Sequence, residues 1–380
     1  MTKPTNSTPR VAIVVDWLTN MGGAERTVLA MHHAFPDAPI FTSVFEPEAM
    51  PLFKGADIRT SFLLQHLPKK LRKRHQLFPV FRAFTFRRLK LQDYDVILSS
   101  ASAEAKAARA PKGGVHICYC HTPIRYYWSH YQEYRRHPGF GMLDPLIKLI
   151  IPPFVKWMRR SDLRSVEGVD YFLANSHEVQ RRIRKYYHRD STVMFPPVDT
   201  ERMRPAKTVS KDNYYLVVGR QIPYKRMDLA IKACNRLGKR LIVVGNGSEH
   251  EKLRRLAGPT VEFKTGVSDQ EIVAYFQHAK ALIWPQVEDF GITAVEAMAA
   301  GTPVIAYKKA GALDYMVEGK TGLFFAEQTV DSLTYALKRV EKMRFDSTTL
   351  VHHAEKFSEE RFIQELREFA RFHATQRAAM

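Results

Sequence analysis

Cysteine is scarce in this chain: three residues in 380, Cys118, Cys120 and Cys234. Three thiols are too few for a disulfide framework, so a reducing cytoplasm is the expected compartment. Acid is also short, with 39 Asp and Glu against 58 Lys and Arg, giving a net charge of +19. Long apolar runs are missing. The most apolar stretch, Met142 to Met158, is broken by Asp144, Pro145, Lys148, Pro152, Pro153 and Lys156 and does not suit a bilayer span. The polar leader MTKPTNSTPR runs straight into an apolar strand, so no secretory signal is expected. Low-complexity tracts and short-period repeats are absent as well. What is present, 45% apolar residues over 380 positions, suffices for two domains with full cores.

Apolar patterning alternates between strand and helix, which argues an α/β protein with mostly parallel sheets. The chain opens with a buried strand at Val11 to Val15, a Gly22-Gly23 loop, and a helix whose Val28, Leu29, Met31 and Ala34 recur at helical spacing. Further strands are expected at Asp95 to Ser99, Val115 to Tyr119 and Asp170 to Ala174. A Pro-rich passage, MFPPVDTERMRP, reads as a linker. Beyond it, strands are expected at Tyr215 to Val218, Arg240 to Val244, Val261 to Lys264, Ala281 to Trp284 and Val304 to Ala306. The tail FSEERFIQELREFARFH reads as a helix. Two Rossmann-like domains follow: 1–200 with the C-terminal helix at about 360–380, and 201–359.

Chemistry concentrates in AKALIWPQVEDFGITAVEAMAAGTPVIAY. A strand, a loop with Glu288 and a helix from about Ile292 with Glu296 place a helix N-terminus at the carboxyl end of a strand, where an open sheet binds anions. A carboxylate on each side of an anion hole suits a ligand with phosphate in the middle and hydroxyls at both ends. That is the shape of a nucleotide sugar. Arg220 follows the strand YYLVV after Gly219, with Lys225 five residues on, and two fixed cations suit a diphosphate. Gly245, in a Gly-Asn-Gly turn, and Val267, at a strand end, are candidate donor-binding positions. Gly22 and Gly23 can bring main-chain N–H groups close to phosphate or sugar.

Glu288, Phe290-Gly291-Ile292, Glu296-Ala297-Met298-Ala299, Gly301 and Pro303-Val304-Ile305 resemble the E-x7-E region of the family 4 glycosyltransferases, retaining enzymes of GT-B fold. The resemblance extends over about residues 10–330. It implies two Rossmann-like domains facing a central cleft, with the C-terminal helix crossing back to the N-terminal, acceptor-binding domain. It implies that Glu288 holds donor-sugar hydroxyls, that the amides of Phe290, Gly291 and Ile292 face sugar and diphosphate, and that Glu296 grips the ribose. Arg220 and Lys225 match the diphosphate pair, and His121, with Pro123 and Arg125, matches a histidine near the donor sugar. Arg125 and Trp128 are acceptor-side candidates. The donor site looks most like that of bacterial mannosyltransferases using GDP-mannose, with the product on a glycan or polyprenyl-linked saccharide. A UDP-hexose-dependent transferase and a nucleotide-sugar 2-epimerase of the same fold are the alternatives. A retaining glycosidase also uses two carboxylates but leaves the two cations idle.

No cofactor and no metal are expected. Nothing is read as the Asp-x-Asp metal motif of the other glycosyltransferase fold, and His116, Cys118, Cys120 and His121 read as alternating strand positions with buried thiols. The basic surplus lies in residues 1–200, which carry 30 Lys and Arg against 17 Asp and Glu. It is densest from Ser61 to Lys90, where cations interleave with Phe and Leu. That composition fits a peripheral contact with an anionic membrane surface at the cytoplasmic face, with no nucleic acid as partner.

Overall fold

The computed structural model describes residues 9–72, 74, 78–129, 131–132, 144–205 and 209–379. The chain divides into one unit of Met1–Phe195 with Phe362–Met380, and a second of Pro196–Arg361.

In the first unit the strands are β1 Val11–Val15, β2 Ile40–Thr42, β3 Ile58–Thr60, β4 Val96–Ala101, β5 Val115–Cys120, β6 Tyr171–Ala174 and β7 Thr192–Val193. They pair in parallel in the order β3-β2-β1-β4-β5-β6-β7. Strands β1, β4 and β5 are buried at every position, as expected of parallel strands covered on both faces. One face packs Ile13, Val15, Met31, Leu98 and Ile117 against Phe362, Leu366 and Ala370 of the helix Glu359–Ala378. The C-terminal helix therefore does return to the first unit. The other face packs Val14, Ile97 and Phe172 against Val179 and Ile183 of the helix His177–Tyr187.

The order of strands reverses between β1 and β4, and an open sheet gathers its ligands at the carboxyl ends beside such a switch. Asp16 stands there, 6% exposed. Its carboxylate accepts from the amides of Ser102 at 2.7 Å, Ala103 at 2.8 Å and Ala105 at 2.7 Å, pinning the turn after β4 to the end of β1. Lys106 follows, buried and paired at 2.8 Å with Asp162 of the helix Asp144–Val166. Burial alone would pull the Lys106 ammonium down, but Asp162 holds it above its ordinary range.

The run from Ser61 to Lys90, expected as a membrane contact, turns part of its charge inward. Arg72 pairs with Glu46 at 2.6 Å, Arg82 is buried against Glu104 at 2.8 Å, and Arg87 donates to the Ser161 carbonyl at 2.9 Å. These cations hold the unit together. Lys73 and residues 75–77 of the run lie outside the described residues, as do Met142 and Leu143 of the apolar stretch. Among the described residues, no helix is long and apolar enough to cross a membrane.

The second unit has β8 Tyr214–Val218, β9 Arg240–Val244, β10 Val261–Lys264, β11 Ala281–Trp284, β12 Val304–Tyr307 and β13 Gly322–Phe325, ordered β10-β9-β8-β11-β12-β13. All pair in parallel, and the switch lies between β8 and β11. Its core is Val217, Ile231, Val243, Ile283, Ile305, Leu323 and Leu337. The Pro-rich passage is not a loose tether. Asp199 caps the turn Thr200–Met203, Met203 is fully buried, and the Val198 amide donates to the Phe357 carbonyl at 2.9 Å.

Candidate active site

Both segments that leave the switch of the second unit carry expected site residues. After β8 the chain passes Gly219, which has φ +140°, then Arg220 and Gln221, and turns through Pro223–Lys225 into the helix Met227–Leu237. After β11 it passes Pro285 and Glu288 to Gly291, which opens the helix Ile292–Ala299 with φ +113°. Strands β8 and β11 are neighbours, so residues 63 apart in sequence meet: the Lys225 ammonium pairs with Glu288 Oε1. Lys225 Nζ also stands 5.1 Å from the centre of the Trp284 ring and would lie 3.7 Å from a Cβ on Gly219. Lys225 and Glu288 side chains are 12% and 20% exposed, enough for a ligand to reach and little enough for their charges to act strongly.

Glycine is required at two points here by contact as well as by φ. A Cβ on Gly291 would meet the Tyr315 hydroxyl at 3.0 Å and the Trp284 ring at 3.1 Å. A Cβ on Gly245 would stand 2.2 Å from the Gly219 carbonyl oxygen, so the turns after β8 and β9 are stacked main chain on main chain. Gln221, absent from the expected site, locks that stack. It is fully buried, its Nε2 donates to the Gly245 carbonyl at 2.7 Å, and its amide donates to the Asn246 carbonyl at 2.9 Å.

The helix Ile292–Ala299 has no side chain capping its first amides, which leaves them suited to an anion. Tyr315 was also missed. Its ring lies edge-on to Phe290 at 5.5 Å, its hydroxyl is buried without a hydrogen-bond partner, and burial together with the nearby Glu288 charge raises it well above the ordinary phenol range. Nothing in the sequence marks Tyr315, because it arrives on a separate turn, Ala312–Tyr315.

Not every expected residue joins the Lys225–Glu288 pair. Arg220 is exposed at the mouth of β8. Glu296 is paired with Arg202 at 3.3 Å, and Arg202 also binds Asp199 at 3.2 Å. Val267 is half-buried just past β10, after Gly266 with φ +66°. Phe290 is buried and Ile292 starts the helix.

Gly22, Gly23, His121, Arg125 and Trp128 belong to the first unit. Gly22 is extended, at φ −153°, and starts the helix Gly23–Ala34; a Cβ there would meet Glu25 Oε2 at 2.9 Å. His121 follows β5, with Nε2 2.8 Å from Ser100 Oγ and its ring 5.2 Å from that of Tyr119. Arg125 is half-buried. Trp128 does packing work: its indole N–H donates to Asp162 at 2.8 Å and its ring stacks on Tyr186 at 5.3 Å. Asp93-Tyr94-Asp95 spells the Asp-x-Asp triplet that had gone unread, but it precedes β4, and Asp95 accepts from the Arg10 amide at 3.0 Å. His116, buried, contacts Ser99 Oγ at 2.8 Å and the Gly168 carbonyl at 3.0 Å. Among the described residues, no group of three or more His, Cys, Asp or Glu side chains is arranged to hold a metal ion.

Residues 21–202 match the family described as Glycosyltransferase Family 4, and residues 199–361 match Glycosyl transferases group 1. The chain belongs to the family 4 glycosyltransferases. It is 31% identical over 170 residues to a GDP-mannose-dependent alpha-(1-6)-phosphatidylinositol monomannoside mannosyltransferase of Mycolicibacterium smegmatis, covering 37% of this chain and 44% of that one. The protein of the same description from Mycobacterium tuberculosis is 30% identical over 209 residues, 47% of this chain and 54% of that one. A D-inositol 3-phosphate glycosyltransferase of Streptomyces scabiei is 30% identical over 204 residues, 45% of each chain. The matches thus span about half the length of these curated relatives. Among solved structures, Anabaena HepE in complex with UDP and glucose superposes with TM-score 0.69 at 16% identity, covering 95% of this chain and 99% of that one. Sucrose-phosphate synthase from Thermosynechococcus elongatus gives 0.68 at 16% identity, covering 96% and 98%. With two parallel Rossmann-like sheets, this family 4 chain has the GT-B fold.

Proposed function

We propose that this family member moves a hexose, with mannose from GDP-mannose as the donor, to a hydroxyl of a glycan or polyprenyl-diphosphate-linked saccharide, with retention at the anomeric carbon. The observation that carries the reading is the Lys225–Glu288 pair, flanked by Gly219 and by the uncapped start of the helix Ile292–Ala299. Lys225 and Arg220 offset the charge that builds on the departing diphosphate, the amides of Phe290, Gly291 and Ile292 hold its oxygens, and Glu288 accepts from sugar hydroxyls. Glu296 and Arg202 hold the ribose end. The acceptor hydroxyl attacks the face from which the nucleotide leaves, and the departing phosphate takes its proton, so the protein's part is positioning and charge. His121 and Arg125 of the first unit are the residues that the family resemblance assigns to sugar and acceptor. The mannosyltransferase relatives support the choice of donor.

The test is incubation of purified protein with labelled GDP-mannose or UDP-hexoses, with and without membrane lipid extract. Label entering lipid or glycan from GDP-mannose alone is expected. Use of UDP-glucose or UDP-galactose in its place would move the donor assignment, and donor consumption without acceptor would favour epimerisation over transfer.

A further inference from the structure

Tyr315 stands beside the candidate site with a hydroxyl that the fold itself does not use. The residue is 1% exposed, and its hydroxyl has no hydrogen-bond partner among the described residues. Packing alone does not call for that oxygen. Phenylalanine would fill nearly the same space, whereas a buried hydroxyl without a partner lowers stability.

Contacts within the second unit hold the residue in place. The Gly311 amide donates to the Glu288 carbonyl at 3.0 Å, which ties the turn Ala312–Tyr315 to the loop after β11. A Cβ on Gly311 would fall 2.3 Å from the Phe290 carbonyl oxygen, so the two segments touch main chain to main chain. The Tyr315 carbonyl lies 2.7 Å from His353 Nε2, and the ring is edge-on to Phe290. A side chain fixed in this way loses little freedom when its hydroxyl meets a ligand.

The hydroxyl is aimed at the start of the helix Ile292–Ala299. It lies 3.0 Å from where a Cβ on Gly291 would sit, and Gly291 opens that helix, whose first amides no side chain caps. Amides left open at a helix start attract anions. The Trp284 ring would lie 3.1 Å from the same Cβ, and Lys225 Nζ stands 5.1 Å from the centre of that ring, so a cation borders the same spot. Burial and the Glu288 charge raise the phenol well above its ordinary range, so it keeps its proton and remains a donor. Amides, a phenol and an ammonium together suit a phosphate oxygen, which accepts hydrogen bonds about twice as strong as a neutral oxygen does. A sugar hydroxyl is served instead by the Glu288 carboxylate, an acceptor.

We infer that Tyr315 is a phosphate-binding residue of this site: its hydroxyl donates to a phosphate oxygen of a nucleoside diphosphate seated at the start of the helix Ile292–Ala299. This role rests on the reading of the site as the one that takes the nucleotide sugar. Negative charge builds on the departing diphosphate as the glycosidic bond breaks, so the same hydrogen bond strengthens during transfer. Tyr315→Phe therefore lowers kcat as well as nucleotide affinity.

Calorimetric titration of the full chain with GDP, UDP and ADP tests it. The wild-type chain is expected to bind at least one of them, and Tyr315→Phe to bind that nucleotide about 10- to 100-fold more weakly. Without ligand, the variant should melt at the wild-type temperature or above it, because a buried hydroxyl without a partner has been removed. Tyr335→Phe, at a position 66% exposed, should match the wild-type chain in both measurements. The nucleoside diphosphate and its sugar nucleotide should lose affinity by the same factor. A loss confined to the sugar nucleotide would put the hydroxyl on the sugar and overturn the proposal. So would equal nucleotide affinity in the wild-type chain and Tyr315→Phe, the result expected if the hydroxyl only packs or only holds a water. If the wild-type chain binds none of the three nucleotides, the nucleotide-sugar reading fails and takes this role with it.

Discussion

Lys225 and Glu288 show how far single residues can be read. Each was legible from its place after a strand, but their pairing was not, because it depends on β8 and β11 becoming neighbours across 63 residues. Gln221 and Tyr315 were illegible for the same reason: their roles are contacts with distant turns, and no local pattern records them. If Lys225 meets diphosphate and Glu288 meets sugar, Lys225→Ala and Glu288→Ala should each lower kcat/KM by about 10²- to 10³-fold, with the fold intact by circular dichroism. Near-normal turnover by either variant would remove that residue from the site. His116 carries a pH prediction. Burial pushes its imidazole down to about 4, although the Gly168 carbonyl works the other way, so the folded protein holds it neutral. The unfolded chain binds a proton below about pH 6.5 that the folded chain refuses, so stability present above pH 6.5 should fall as pH drops toward 4. The loss should be on the order of 3 kcal/mol, read from urea midpoints at pH 7 and pH 4.5, and His116→Leu with Ser99→Ala should flatten that slope.

Among the elements, parallel strands with apolar runs were the easiest to find. Arg240–Val244, Val261–Lys264 and Ala281–Trp284 lie where their apolar runs put them. The short strands Ile40–Thr42, Ile58–Thr60, Thr192–Val193 and Gly322–Phe325 went unread. Two to four residues give no period, and pairing with an existing sheet fixes them instead. The Pro-rich passage marked the boundary, which falls between Phe195 and Pro196, but proline does not say whether a segment is packed, and Met203 and Val198 are both buried. The helix Glu359–Ala378 was legible as a helix, and its docking face can be measured. Phe362, fully buried and edge-on to Tyr119 at 5.6 Å, should cost about 3–5 kcal/mol when changed to Ala, and Leu366→Ala about 2–5 kcal/mol. Phe372→Ala, at a position 58% exposed, should change stability by less than about 0.5 kcal/mol. Equal urea midpoints for Phe362→Ala and Phe372→Ala would contradict this packing.

At the scale of the whole molecule, composition told of solubility and surface but not of where the charge is spent. The 58 Lys and Arg side chains divide among internal ties such as Arg82–Glu104, the Lys225–Glu288 pair and an exposed remainder. Because Arg220 and Lys225 supply fixed positive charge where diphosphate is proposed to bind, turnover should persist in EDTA. A loss of activity restored by manganese or magnesium would show that these side chains alone are not enough.

The return of the last helix to the first sheet has a consequence for synthesis. A ribosome completes residues 1–195 while Phe362, Leu366 and Ala370, which line the finished sheet face, are still unmade. At about 5–20 residues per second, the wait lasts roughly 10 to 30 s. During that interval Ile13, Leu98 and Ile117 stay partly uncovered on the nascent chain, so the amino-terminal half should mature only once the helix Glu359–Ala378 has been made, later than the half translated after it.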